Sequence, residues 1–383
     1  MITQIQLQTF KCFKDVQLPL APLTLLSGSN ASGKSTVLQS LVLLHQTMRD
    51  HEWSNRLYLN GSTLSLGSVQ DVVDKINSRD TFRIALQNTD EAVGWEFHGA
   101  REAMTMQVKS LHQNGKTSPI TDMMRHLTPY QASRQAVPTL IRSLQRLTYL
   151  TAERMGPREL YPLVETDGIP NVGPTGEHTA SVLYQLRDAP VNPGLLIDKS
   201  DTVLRQVELR MQQFFPNSSI VVERVAQRNF VTLGLRTSPD TDYHRPQNVG
   251  FGLTQVLPII VAALTAQPGD LLLIENPEVH LHPAGQALMG QFLAEVAQSG
   301  IQVILETHSD HILNGMRRAI KMQKIAHTNV LLYFFNPRYQ SRPTPVAQVI
   351  NPRIDKHGNI DAWPEGFFDQ FDKDANYFAG WGE

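Results

Sequence analysis

Gly28-Ser-Asn-Ala-Ser-Gly-Lys-Ser35 fills every position of the pattern G-x-x-x-x-G-K-[ST]. The apolar run Leu23-Thr-Leu-Leu26 precedes it, and the helix-like stretch Thr36-Val-Leu-Gln-Ser-Leu-Val-Leu-Leu44 follows. Strand, loop and helix in that order are the setting that gives the pattern its meaning. Gly28 and Gly33 allow successive backbone N–H groups to turn inward around a phosphate. The helix N-terminus adds its dipole, and Lys34 places a point charge against the β- and γ-phosphates. Ser35 supplies a hydroxyl for Mg²⁺. A Gly/Ser surface loop would account for the glycines but not for Lys34-Ser35 at a helix start. The stretch predicts a nucleoside triphosphate site.

Composition narrows the setting. With 383 residues, 41% hydrophobic and 18% charged, the chain can build one elaborated α/β domain or two. A formal net charge of −2 removes any global attraction to nucleic acid or membrane, so a polyanion contact has to be local. One candidate, Arg317-Arg318-Ala-Ile-Lys321-Met-Gln-Lys324, reads first as the solvated face of a helix. Cys12 is the single cysteine, so no intrachain disulfide forms and nothing argues for an oxidising compartment. The opening Met-Ile-Thr-Gln-Ile-Gln lacks the basic start and apolar run of a signal peptide. The longest apolar stretch, Val256–Leu264, contains Pro258 and falls short of the roughly 18 residues of a membrane span. The expectation is a cytoplasmic protein without a membrane partner.

Periodicity gives a coarse map. Ile2, Ile5 and Leu7, then Val16, Leu18 and Leu20, predict two strands separated by a polar turn at Lys14-Asp15. Asn60-Gly61 suggests a hairpin, and strand signal returns at Thr81–Leu86 and Val93–Phe97. The middle is less regular: polar helix-like pieces around 120–146, a strand at Tyr149-Leu-Thr-Ala, then a Gly/Pro-rich loop from Thr166 to Gly176. Helices follow at Ala180–Leu186 and Val203–Phe215, and paired strands at Ile220–Val225 and Phe230–Leu235. From 249 the order is helix, strand, helix, strand, helix, with Asp270–Glu275 and Ile301–Glu306 as buried parallel strands. The expected division is an N-terminal ATPase-core part over 1–100, an inserted region over 101–245, a C-terminal core part over 246–340 and a packing tail over 341–383.

A second motif lies at Leu271-Leu-Leu-Ile-Glu275-Asn276-Pro277-Glu278-Val-His280-Leu-His282, an apolar strand ending in acid, as Mg²⁺ opposite such a loop requires. With Asn248-Val-Gly-Phe-Gly-Leu-Thr-Gln255 before it and Glu306-Thr-His308-Ser309 after it, the set resembles the nucleotide-binding domains of ABC-type ATPases. Phe10-Lys-Cys-Phe-Lys14 and Asn30 place the likeness on the branch of SMC, recombination-repair and OLD-like proteins. The tail Asn359-Ile-Asp-Ala-Trp-Pro-Glu-Gly-Phe-Phe-Asp-Gln370 is similar to an uncharacterised family of bacterial predicted ATPases. The likeness covers 1–60 and 245–375, and touches the middle through Gly173-x-x-Gly176-Glu177.

The resemblance implies an α/β P-loop NTPase of ABC-ATPase type, with a mixed sheet and an inserted middle region. It implies that Gly28, Ser29, Asn30, Ala31, Ser32, Gly33, Lys34, Ser35 and Thr36 cradle ATP, and that Ser35 and Glu275 hold Mg²⁺. Asn248, Gly250 and Gly252 would touch the γ-phosphate bound in a partner subunit, and His308 would sense it. Gln70 is a poor local match to the clan's Q-loop glutamine. One set of motifs per chain implies a head-to-tail homodimer around two ATP molecules. The branch suggests prokaryotic DNA maintenance or antiphage defence, with nucleic acid or a separate nuclease or other effector as partner. About 75 residues follow His308, too few for a typical added catalytic domain.

One position departs from the clan, where acid is followed by acid. Here Glu275 is followed by Asn276, and an amide takes no proton. Losing a general base forfeits about 10²–10⁴ in rate, although positioning and charge alone can sustain slow phosphoryl transfer. Either Glu278 serves as the base or Asn276 only orients water. The expected function is a slow ATPase switch; the alternative is an ATP-binding sensor or scaffold. His280, His282, His308 and His311 suggest zinc, but they sit within the ATPase motifs and no cysteine is near. Asp355–Asp361 places its acids wrongly for calcium and reads as a turn at Gly358. Phe10 and Phe13 could stack on adenine or fill the core, Arg154 could reach phosphate or pair with an acid, and Trp363 with Phe367-Phe368 reads as a tail anchor.

Overall fold

The computed structural model describes residues 1–78, 80–118, 120, 123–130, 137–165, 169–337 and 347–381, apart from the side chain of Asp372. Within these limits the chain forms two compact units, one of Met1–Leu147 with Tyr333–Asn351 and one of Thr148–Leu332 with Pro352–Glu383.

The first unit holds an antiparallel seven-stranded sheet. Gln4–Phe10 pairs with Phe13–Pro19 on one side and Thr81–Gln87 on the other, so Ile5 lies between Leu18 and Leu86, and Leu7 between Val16 and Ile84. Ile5 and Leu7 are fully buried, while Gln6 and Gln8 point the other way and donate to the Asp15 carboxylate. This period of two explains the strand. It also corrects the expected turn at Lys14-Asp15. Phe10 pairs with Phe13, both are buried, and the reversal falls on Lys11-Cys12 instead. Across Thr81–Gln87 and Ala92–His98 the buried rings of Phe82, Trp95 and Phe97 fill the inner face, each contributing about 1.5–3 kcal/mol of burial.

Three further readings resolve here. At Asn60-Gly61 the chain does turn back, with Gly61 N–H on Leu64 O and Leu66 N–H on Leu59 O. The preceding strand Arg56–Tyr58, however, pairs with Thr105–Gln113. Among the described residues of the helix-like stretch over 120–146, only Thr139–Gln145 is helical, while Met124–Arg125 pairs with Thr128–Pro129. Trp95 Nε1 holds Leu127 O and Glu52 O holds His126 N–H, so tertiary anchors override local propensity. Residues 121–122 and 131–136 of that stretch, and 166–168 of the Gly/Pro-rich loop, lie outside the described residues.

In the second unit Leu271–Glu275 and Gln302–Glu306 pair in parallel, as their unbroken apolar runs predict. Helices Phe251–Thr265, Pro283–Gln298 and Asp310–Lys321 alternate with them. The parallel and antiparallel pairings together make the mixed α/β architecture expected. Thr179–Leu186 and Val203–Phe214 are helices, and Ser219–Arg224 pairs with Phe230–Arg236. The tail is anchored as expected. Phe367 is fully buried between Trp363 and Phe368, and Arg317 Nε donates to Gly358 O at 2.7 Å while its guanidinium faces the Trp363 ring. Lys324 pairs with Glu295, so the basic cluster of 317–324 is partly spent on structure.

Candidate functional site

In the first unit the loop emerges from Leu23–Gly28, a strand buried along its whole length, and runs into the helix Lys34–Asp50. Gly28 has φ of +140° and Gly33 +110°, both in the region that side chains rarely adopt. A Cβ on Gly28 would lie 2.2 Å from Phe335 O, and one on Gly33 would lie 2.6 Å from Cys12 Sγ and 2.7 Å from Phe13 Cζ. Both glycines are therefore required by space as well as by φ. Phe13 is thus a wall of the loop and, like Phe10, a core residue.

The loop holds its own cation. Lys34 is 4% exposed and donates through Nζ to Gly28 O at 3.0 Å and Ser29 O at 2.8 Å, and Ser32 Oγ donates to Ser29 O at 2.7 Å. No side chain caps the helix start at Gly33, and its first turn carries no acid, so N–H donors and dipole face the loop. Ser29, Asn30 and Ala31 are exposed, and Ser35 is partly so. Beside Ala31 opens a concave space of about 500 Å³ lined by Lys11, Cys12, Val73, Ile76 and Pro337 among others. Ile76 is 67% exposed there. Burial lowers the Lys11 amine below its ordinary pKa, against the opposing pull of Cys12 and Asp71. Gln70 lies on the short helix Val69–Val72 of the same unit.

In the second unit the acidic strand end is a network. Glu275 Oε1 accepts from Tyr149 Oη at 2.8 Å, and Oε2 from Ala152 N at 3.4 Å. Asn276 turns left-handed at φ +43°, a conformation that asparagine tolerates better than most residues, and its N–H bonds Glu306 O at 2.8 Å. The carbonyls of Glu275 and Asn276 accept from Arg154. Glu278 accepts from Thr307 Oγ1 at 2.7 Å and from His308 N at 3.0 Å. Burial raises the Glu278 pKa, while these two bonds and the Arg154 charge oppose the rise. The structure thus joins Glu278 to His308 through the His308 backbone, while the His308 side chain is exposed; the Glu275 carboxylate is held separately by Tyr149 and Ala152.

Asn248 ends a short turn, Gly250 caps the helix Phe251–Thr265, and Gly252 packs near His280 O. A Cβ on Gly250 would meet nothing within 4 Å, and Phe251 beside it is 53% exposed, so this face is open in the chain described. His282 caps the helix Pro283–Gln298 through Nδ1, and the His280 ring lies 5.5 Å from that of Phe251. Among the described residues no three His, Cys, Asp or Glu side chains gather to hold a metal. Asp355 accepts from the N–H groups of His357 and Asn359, closing the expected turn at Gly358.

Arg154 turns out to be neither a phosphate ligand reaching outward nor a simple ion pair; it is buried and bonded to carbonyls. Nothing local in the sequence singles out Tyr149, or gives Gln255 a task. The one available signal is a polar, arginine-ended exit, Thr151-Ala-Glu-Arg154, from an apolar strand.

Known families match the chain in three segments. A family described as "AAA ATPase domain" matches residues 1–132. One described as an AAA domain ascribed to AbiEii toxins of the Type IV TA system matches 139–314. "Protein of unknown function (DUF3696)" matches 325–377. The OLD nuclease of Thermus scotoductus is 23% identical over 341 residues, covering 81% of this chain and 59% of that protein. The chain therefore spans less than two thirds of this relative's length. Among solved structures, the SmcHead bound to the C-winged helix domain of ScpA is 13% identical with a TM-score of 0.53, over 93% of this chain and 98% of that one. The Smc head domain with an extended coiled coil, bound to the C-terminal domain of ScpA derived from Pyrococcus furiosus, is 11% identical with a TM-score of 0.52. There 92% of this chain and 96% of that one are covered. At such identities the likeness is one of fold.

Proposed function

We propose that this chain, an ABC-type P-loop ATPase of the branch that includes SMC heads and OLD-like proteins, is a slow ATP-hydrolysing switch that works as a head-to-tail homodimer. The observation that carries the slowness is the amide of Asn276, beside the metal-binding Glu275, where the clan holds a second acid. That carboxamide is partly exposed and has no hydrogen-bond partner among the described residues.

Each remaining part has a task. Lys34 and the N–H groups that follow Gly33 bind the β- and γ-phosphates, and the apolar Val73, Ile76 and Pro337 offer a surface to the base. By motif we assign Mg²⁺ to Ser35 and Glu275, and each by itself has the chemistry for it: the Ser35 hydroxyl has no partner among the described residues, and Glu275 keeps lone pairs beyond its two bonds. A hydroxyl and one carboxylate beside substrate phosphates are what Mg²⁺ takes; once bound, it neutralises charge developing on the phosphate oxygens. Glu278 accepts one bond on each oxygen and so retains a lone pair for a water proton, while Asn276 orients that water. His308, whose N–H is fixed by Glu278, senses the γ-phosphate. Asn248, Gly250 and Gly252 present the open helix start to the nucleotide of a second copy.

The setting we infer is cytoplasmic, in prokaryotic DNA maintenance or antiphage defence with a separate nuclease or other effector. The OLD nuclease and AbiEii likenesses support it, and no described helix is long and apolar enough to cross a membrane. Phosphate release from ATP, measured for wild type and Lys34→Ala across protein concentrations, tests the reading. Slow turnover that grows with the square of concentration and is lost in Lys34→Ala is expected. A turnover of about 10 s⁻¹ or more contradicts a slow switch. ATP binding without turnover favours the alternative, a sensor or scaffold, for which Asn276 is the supporting observation.

A further inference from the structure

Arg154 is 7% exposed, and its hydrogen bonds go to main-chain carbonyls. Nη1 donates to Thr151 O at 3.1 Å and Glu275 O at 2.9 Å, and Nη2 donates to Asn276 O at 2.7 Å. Burying a guanidinium is costly, and a buried arginine ordinarily meets a carboxylate fork to fork. Here carbonyls take that place, although the charges of Glu278 and Glu275 are felt through space. The strand ends at Glu275 and Asn276 turns left-handed, and here the carbonyls of both residues take Arg154 as a donor. A planar fork reaches two successive carbonyls at once; an ammonium is a single point.

The backbone of Arg154 is held by a different element. Gln255, 3% exposed, donates through Nε2 to Arg154 O at 3.4 Å and Met155 O at 3.3 Å. It lies just over one turn into the helix Phe251–Thr265, which begins at the open Asn248–Gly252 face. The loop Gly173–Glu177 braces the same segment, with Thr151 N–H on Pro174 O and Met155 N–H on Thr175 O. Glu177 in turn accepts from the N–H and hydroxyl of Thr175. Residues 151–155 are thus tied to the helix through the carbonyls of Arg154 and Met155, and to the acidic turn through the Ala152 N–H and the Arg154 guanidinium.

We infer that Arg154 is a positioning residue that transmits the seating of the helix Phe251–Thr265, through Gln255, to the Glu275–Asn276 turn. Engagement of a second copy at the Asn248–Gly252 face then sets the aim of Glu275 and Asn276 in the same chain. The inference rests on the dimeric ATPase reading. It differs from that reading in naming a coupling, and coupling is measurable only by paired substitution.

The experiment compares the full chain with Arg154→Lys, Gln255→Leu and the double variant, after thermal melts establish that each folds. A fluorescent ATP analogue reports nucleotide affinity, and phosphate release reports turnover over a range of protein concentrations. In Arg154→Lys, affinity should stay within about threefold while kcat falls about 10- to 100-fold, the worth of a charged hydrogen bond. Gln255→Leu should lower kcat less and flatten its dependence on protein concentration. The double variant should be no slower than Arg154→Lys. Losses that multiply, or a kcat within about threefold of wild type in Arg154→Lys, overturn the coupling. If Arg154→Lys melts early, Gln255→Leu alone decides: reduced kcat at unchanged affinity supports it, and unchanged kcat overturns it. If wild type hydrolyses nothing, the ATPase reading fails separately. The coupling is then read from Mn²⁺ affinity in the nucleotide complex by paramagnetic resonance: weakening of about tenfold in Arg154→Lys supports it, and no change overturns it.

Discussion

Thr307 donates its buried hydroxyl to Glu278 across 2.7 Å, joining the loop after one parallel strand to the loop after its neighbour. The bond favours the charged carboxylate, while burial disfavours it more, and Glu278 rests above its ordinary pKa.

If Glu278 takes the water proton, Glu278→Gln lowers turnover by about 10²–10⁴ with ATP binding retained. Turnover needs the ionised form, so the rate climbs as pH rises through the raised pKa. Thr307→Val removes an interaction that lowers this pKa, so the acidic limb moves to higher pH. A kcat profile from pH 5 to 8 checks both variants; an unmoved limb assigns the proton elsewhere.

At the strand end, Asn276→Glu restores the clan's second acid. We expect turnover to rise about tenfold, at a stability cost of about 1–2 kcal/mol for glutamate in the left-handed region. Phosphate release and a denaturant melt measure the two effects. Unchanged or reduced turnover means that Asn276 is not what slows the chain.

The loop separates binding from folding. Lys34→Ala should weaken ATP binding about 100-fold or more while leaving the melting temperature near that of wild type. Gly28→Ala should do the reverse in kind, because its Cβ collides with Phe335 O at 2.2 Å and the fold itself is lost or lowered in melting temperature. Calorimetric titration and thermal melting tell the two apart.

His45 supplies a pH dependence of stability. It is 2% exposed, Nδ1 lies 2.6 Å from Leu144 O, and burial lowers its pKa to about 4. A depressed folded-state value means that its contribution is whole above the unfolded value of about 6.5 and is lost as pH falls toward 4. The loss is at most about 3 kcal/mol. Denaturant midpoints at pH 7 and pH 4.5 should therefore diverge less in His45→Gln than in wild type. Equal divergence excludes His45 as the source.

What the sequence disclosed followed the length of each signal. The loop is eight contiguous residues, and the parallel strands are unbroken apolar runs, so each could be read locally. The turn at Lys11-Cys12 was masked by the polar Lys14-Asp15, which points outward from a strand whose partners are not visible in sequence. Tyr149 and Glu275 stand 126 positions apart, and Gln255 and Arg154 101 apart. Periodicity does not reach such pairs. They exist only because two strands and a helix converge, and the sequence marks them with nothing more than ordinary polar residues.

Lys34 has a wider consequence. Its ammonium rests on carbonyls of its own loop, Gly28 O and Ser29 O, so its charge is already engaged within the fold. An incoming anion has to compete with these carbonyls for the ammonium. We expect chloride or a monoester phosphate to compete poorly and a chain of phosphates to compete well, because several charged hydrogen bonds act together on one lysine. Displacement of a fluorescent ATP analogue by each anion in turn checks it, and equal displacement by all of them overturns it.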